Sequence, residues 1–257
     1  GIFIPGPVIE AASNDLVYIV PVKGNIDPGM VKLVSRGIKE AEKANAQKII
    51  FKIDTYGGLV DSAISIKDLI FNTDLNTITY ISGRAWSAGA LIALAGEKMV
   101  MDTGSSIGAA ETRPKVEKYI SALRKEFKAT AETRGKNSEL AAAMVDSDIV
   151  VKGIIEKDKL LTLTAREAEE YEITDLVVND FNNFVENFSE NKPTLIKVNF
   201  TLSEKFAKVI THPVVSILLL AIGFLGIVFE ALSPGWGIGG TIAILSLSLF
   251  FSSYVIN

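Results

Sequence analysis

Ser87 sits in Gly83-Arg84-Ala85-Trp86-Ser87-Ala88-Gly89, after a β-rich run and at the opening of an apolar, small-residue helix. A serine hydroxyl attacks a carbonyl only when a base takes its proton, and imidazole commonly serves. This chain has a single histidine, His212, beside a long uncharged run. Lysine is the alternative base, provided it is sheltered enough for the neutral amine to be populated. Lys118, in Lys115-Val116-Glu117-Lys118-Tyr119-Ile120, begins a long helical stretch, and its neighbours Val116, Tyr119 and Ile120 permit such shelter. Lys115 is its competitor. A lysine on a helix is ordinarily a solvated charge, and a serine at a helix start is ordinarily an N-cap; neither residue alone carries the chemistry. The third element is Asp54-Thr55-Tyr56-Gly57-Gly58. Two glycines directly after a strand allow a tight turn and a close approach of backbone N–H groups to a ligand. Such groups stabilise the oxyanion of an acyl transfer, although paired glycines also make plain turns.

The elements that must position these residues alternate along the chain. Leu16–Val22 reads as an apolar, β-branched strand, Lys48–Asp54 as a second, buried-looking one, Asn76–Ser82 as a third and Lys98–Met101 as another short one. Between them, helical spacing covers about Pro28 to Asn45 and Asp61 to Ile70, and the Ser87 helix follows the third strand. The alternation implies an α/β domain with mostly parallel pairing. Further on, a helix from about Pro114 to Arg134 ends at Gly135, and another spans about Glu139–Val145. Thr164 with Glu167 makes a capping-box pattern, Leu176–Val178 is one more strand, and Thr201–Thr211 is an amphipathic connector.

Composition narrows the choices. Among 257 residues the net charge is −4, and Lys and Arg are scattered rather than striped, so a nucleic-acid partner is not expected. The absence of Cys excludes disulfides, thiol catalysis and thiolate metal sites. The C-terminal part is different in kind. Pro213 to Phe229 carries no charge, Glu230 interrupts, and a second uncharged run covers Thr241 to Ile256. Each run is near the lower length limit of a membrane-spanning helix, roughly 17–25 residues. A buried helical hairpin in a soluble core is the other reading. The chain begins at Gly1 and stops inside the second run, as a processed or truncated piece of a longer protein would.

Taken in order, Asp54-Thr55-Tyr56-Gly57-Gly58, Trp86-Ser87-Ala88-Gly89, Ser106-Ile107-Gly108-Ala109 and a lysine heading a helix that ends near Arg134-Gly135-Lys136-Asn137 resemble the NfeD membrane serine proteases. These share the Clp protease/crotonase fold with the signal peptide peptidases, and the resemblance runs from about Leu16 to the chain end. It implies an α/β domain of repeated β-β-α units over residues 16–200, after a leader remnant or extended arm at 1–15. Residues 201–257 would hold the connector and a C-terminal transmembrane hairpin, with segments at about 209–232 and 241–257. It also implies a Ser–Lys dyad of Ser87 as nucleophile and Lys118 as general base. Oxyanion donors would be the backbone N–H groups of Gly58 and Ala88, with Gly57 and Leu59 against the substrate. Neither cofactor nor metal is implied.

The same resemblance implies a membrane-anchored endopeptidase cleaving apolar stretches of a stomatin-like membrane protein. It further implies a homo-oligomer in contact with membrane lipid, with the protease domain outside the cytoplasm. Two features depart from the family pattern: Tyr56 replaces the usual proline, and the loop from Ala110 to Lys118 is short. The short loop keeps open a catalytically inactive scaffold for stomatin-like proteins. A crotonase-type acyl-CoA enzyme shares the fold, but no basic patch for the CoA phosphates is evident.

Overall fold

The computed structural model describes residues 16–187, 193–232 and 237–256. Three parallel strands of eleven residues form its centre: β1 (Leu16–Ile26), β2 (Lys48–Gly58) and β3 (Asn76–Trp86). Helices α1 (Pro28–Lys43) and α2 (Val60–Phe71) make the crossovers. Val17 to Val20 are buried without alternation, as expected of a strand covered on both faces. Asp27 starts α1, its Oδ1 accepting from the Met30 N–H at 2.9 Å, with Pro28 in the first helical turn.

Next come α3 (Ala88–Ala95), β4 (Lys98–Asp102), β5 (Ser106–Gly108), α4 (Glu117–Thr133) and α5 (Ser138–Ala143). They are followed by β6 (Thr162–Thr164), α6 (Ala165–Glu170), β7 (Leu176–Val178), α7 (Phe181–Asn187) and β8 (Thr194–Lys197). The sheet order is β6-β5-β3-β2-β1-β8, with β4 joining β3 and β7 joining β4. The long strands change character near their C-terminal ends. Pairing shifts between Lys23 and Asn25 in β1 and between Ile53 and Thr55 in β2. At the same level β3 leaves β4, paired through Ile78–Ile81, and takes up β5 through Arg84–Trp86. Thr55 to Gly58 of β2 and Ala85 to Trp86 of β3 lie at and beyond these shifts, with Ser87 directly after β3.

The α/β architecture is as expected, with single strands alternating with helices until β4 and β5 follow each other before α4. Strands run four residues further than their apolar cores, into the glycine turn and the Ser87 turn. Three short elements were not foreseen: β5, α7 and β8. Of these α7 matters most for the core, because Phe184 and Val185 cover the second face of the sheet over Val17, Ile50, Ile78 and Tyr80. The capping box of Thr164 and Glu167 forms as expected, and Gly135 ends α4 with φ +66°.

After β8 come α8 (Leu202–Ile210), α9 (Pro213–Leu232) and α10 (Ile238–Ile256). Helices α9 and α10 pack antiparallel through small residues. A Cβ placed on Gly226 would meet Gly239 O at 2.8 Å and Ala243 N at 2.9 Å, and one on Gly223 would meet Leu247. Glu230, the interruption in the apolar run, accepts from Gly237 N–H at 2.6 Å and Gly240 N–H at 2.8 Å. It thereby satisfies amides at the start of α10. Helix α9 is long and apolar enough to cross a membrane, whereas Ile238–Ser253 is a shorter apolar helix. Ile217, Leu218, Phe224, Leu225 and Phe229 of α9 face outward, which excludes a helix buried in this chain's soluble core. The expected leader at 1–15 and the linker at 233–236 lie outside the described residues.

Candidate active site

Ser87 forms the turn between β3 and α3, with φ 53° and ψ −122°. A non-glycine residue holds such a backbone only where its surroundings enforce it. Here the Ser87 N–H donates to the Gly108 carbonyl of β5 at 2.9 Å, and the Ser87 carbonyl accepts from the Ala90 N–H at 2.9 Å. The hydroxyl makes no hydrogen bond to the helix start. Ser87 thus occupies the N-cap position without doing a cap's work, and its side chain is left for the cavity beside it.

Gly57 holds the other wall. Its φ is +114°, and a Cβ there would stand 2.6 Å from Ser87 Cβ and 3.0 Å from Ser87 Oγ. Only glycine brings the β2 turn this close to the serine. The buried Thr55 fixes that turn: its Oγ1 accepts from the Gly57 N–H at 2.9 Å and donates to the Gly24 carbonyl at 2.5 Å. A Cβ on Gly58 would overlap the Ile26 backbone, so this position too admits no side chain. Ala88 begins α3, and its N–H finds no acceptor among the described residues. Such an orphan amide at a helix N-terminus suits a developing negative charge.

Ser87, Ala88, Gly58 and Leu59 line one cavity of about 510 Å³, floored by Ala63, Leu91, Leu123 and Phe127. Tyr56 stands at its rim. The ring meets Trp86 edge-on, with centroids 5.5 Å apart, and the Arg84 guanidinium lies 5.0 Å from its centroid. This stack braces the turn ahead of Gly57. Glu111, Thr112 and Arg113 close the far side. The Thr112 hydroxyl is buried without a hydrogen-bond partner. Nothing local in the sequence singled out these three, because the β5–α4 loop alone brings them to the cavity.

The lysines are placed differently. Lys118 is exposed on the first turn of α4 and does not line the cavity. Lys115 is exposed as well and pairs with Glu111. Of the apolar neighbours expected to shelter the amine, Val116 and Tyr119 face solvent at 43% and 51% exposure, and Ile120 is half-buried. The structure therefore assembles Ser87, Ala88, Gly57, Gly58 and Leu59, and leaves both lysines outside the assembly.

The fold is that of a ClpP-like α/β domain, followed by apolar helices. ClpP1 from Listeria monocytogenes shares the fold, with a TM-score of 0.52 at 20% identity over 64% of this chain and 93% of that one. The chain belongs to the NfeD1b family: the N-terminal domain of NfeD1b matches residues 16–198, and the NfeD integral membrane domain matches residues 214–257. It is a membrane protein. It is 34% identical to the membrane protein NfeD1b of Bacillus subtilis (strain 168), over 95% of this chain and 57% of that protein. It is 28% identical to the membrane-bound protease PH1510 of Pyrococcus horikoshii, over 96% of this chain and 59% of that protein. The chain thus spans little more than half the length of these relatives. The solved structure of 1510-N, a membrane protease specific for a stomatin homolog from P. horikoshii, aligns with a TM-score of 0.60 at 25% identity, covering 77% of this chain and 99% of that one.

Proposed function

We propose that the chain is a membrane-anchored serine endopeptidase acting on an apolar segment of a stomatin-like membrane protein. The observation that carries this is the Ser87 turn: a strained, non-capping serine beside an Ala88 amide without a partner among the described residues, facing a cavity with an apolar floor. The substrate class follows the relative specific for a stomatin homolog and the apolar cavity floor. In the reaction Ser87 attacks the peptide carbonyl while Lys118, as the neutral amine, takes its proton. The oxyanion rests on the Ala88 and Gly58 amides. Lys118 then protonates the leaving amine, and water releases the acyl group from Ser87. Because Lys118 is exposed without substrate, bound peptide must bring the first turn of α4 over the cavity and exclude water from the amine. Catalytic hydrogen bonds are commonly long before substrate binds and tighten in the complex.

Helices α9 and α10 would cross the membrane as a hairpin, with the protease domain outside the cytoplasm; a reporter fused ahead of β1 tests that orientation. A second reading, a catalytically inactive scaffold for stomatin-like proteins, is favoured by the exposure of both lysines. Turnover of an apolar peptide by the detergent-solubilised chain separates the two. Ser87→Ala and Lys118→Ala should each abolish cleavage while leaving the circular dichroism and melting temperature unchanged. Undiminished cleavage in either variant refutes the dyad, and no cleavage by the parent chain supports the scaffold.

A further inference from the structure

Helix α8 is built inside out. In a soluble protein the apolar stripe of a surface helix faces the core and the charged face meets water. In α8 the side carrying Glu204 and Lys208 is docked, and of the large apolar residues only Ile210, at the C-terminal end, is buried with it. Arg36 of α1 donates from Nε to Glu204 Oε1 at 2.8 Å and from Nη2 to Glu204 Oε2 at 2.9 Å. The same Nη2 donates to the Asn199 carbonyl at 2.7 Å, just ahead of the helix. Lys208 reaches Asp27, the α1 cap, at 3.6 Å. Leu202, Phe206 and Val209, spaced four and three residues apart, share the opposite face and are 85%, 55% and 57% exposed. Lys205 flanks that face and is exposed too.

The location of α8 indicates what covers the stripe. Only Thr211 and His212 separate α8 from α9, and Ser216 Oγ of α9 donates back to the Ile210 carbonyl at 3.0 Å. α8 also touches α10. Since α9 and α10 are antiparallel, α8 lies at the end of the pair opposite the 233–236 connection, at the level where α9 enters the membrane. We propose that α8 is an interfacial helix, with Leu202, Phe206 and Val209 seated among the acyl chains just below the lipid headgroups and Lys205 at the phosphate level. An amphipathic helix with lysine beside an apolar stripe has the chemistry of a membrane surface. Docked on α1 by ion pairs and on the bilayer by its apolar stripe, α8 sets how high the Ser87 cavity stands above the membrane. This holds whether or not Ser87 is catalytic.

The absence of native cysteine makes the test direct. Leu202→Cys, Phe206→Cys and Val209→Cys, each carrying a nitroxide, are reconstituted as the full chain into vesicles of phosphatidylcholine with phosphatidylglycerol. Glu132→Cys on the exposed side of α4 serves as the aqueous control. Collision with oxygen should exceed collision with a water-soluble nickel complex at all three α8 sites, with the order reversed at Glu132. Nickel accessibility at 202, 206 and 209 equal to the control overturns the proposal. So does dipolar broadening at those sites, which would show a second copy on the stripe. Phe206→Ser, carrying no label, should retain the fold and raise exchange with solvent across residues 201–211; unchanged exchange counts against membrane seating.

Discussion

At the scale of single residues, the geometry around Ser87 depends on atoms that are absent as much as on those present. Gly57 lies so close to Ser87 that a methyl group would meet its Cβ at 2.6 Å, on a backbone with φ +114°. Gly57→Ala should destabilise the fold by about 1–3 kcal/mol. It should also lower kcat/KM by roughly 10²-fold, the effect of misplacing a reacting group by about 1 Å. Thermal denaturation and peptide cleavage measure the two effects separately. Thr55→Val tests the support beneath that turn: losing the acceptor for the Gly57 amide should cost about 1–3 kcal/mol of stability and reduce kcat more than it changes KM. The glycine pair and Ser87 could be read from the sequence because turn chemistry is local. The exposure of Lys118 could not, since it depends on how the 109–116 loop settles ahead of α4, where Thr112 is buried and Val116 is not.

At the scale of elements, the docking of α8 on α1 is electrostatic and should follow pH. The hydrogen bonds from Arg36 hold the Glu204 carboxyl below its ordinary value, aided by the Thr201 amide. A depressed carboxylate stabilises the fold above its unfolded pKa, about 4.3, and that contribution disappears as pH falls through the folded value. Resistance of residues 199–212 to proteolysis should be flat from pH 7 to about pH 5 and decline below about pH 4. Glu204→Gln should lower the neutral-pH plateau and remove the decline. Most elements were legible because β1 opens on a continuous apolar run, β2 and β3 are rich in β-branched and aromatic residues, and α1 has clear helical spacing. β5 and β8 were not, being three and four residues long and defined by the neighbours they pair with. α7 was hidden because only Phe181, Phe184 and Val185 of its seven residues are apolar.

At the scale of the molecule, a ClpP-like domain, an ion-paired connector and an apolar helix pair form one chain. Glu230 is the charge that the apolar pair retains. Its carboxylate serves two amides that start α10, and Glu230→Ala should cost about 1.5–3 kcal/mol for each charge-assisted bond lost, before relaxation. A lower melting temperature of the detergent-solubilised chain, with unchanged cleavage of a short soluble peptide, is the expected readout. Whether the molecule works as a protease rests on Ser87 being a nucleophile served by a lysine. The most direct measurement is the rate at which a fluorophosphonate modifies Ser87 in the membrane-reconstituted chain, mapped by mass spectrometry and compared with Lys118→Ala. The expected result is an adduct on Ser87 that forms faster as pH rises and at least about 10²-fold more slowly in Lys118→Ala. An unmodified Ser87 in the parent chain, or equal rates in the two proteins, would contradict it.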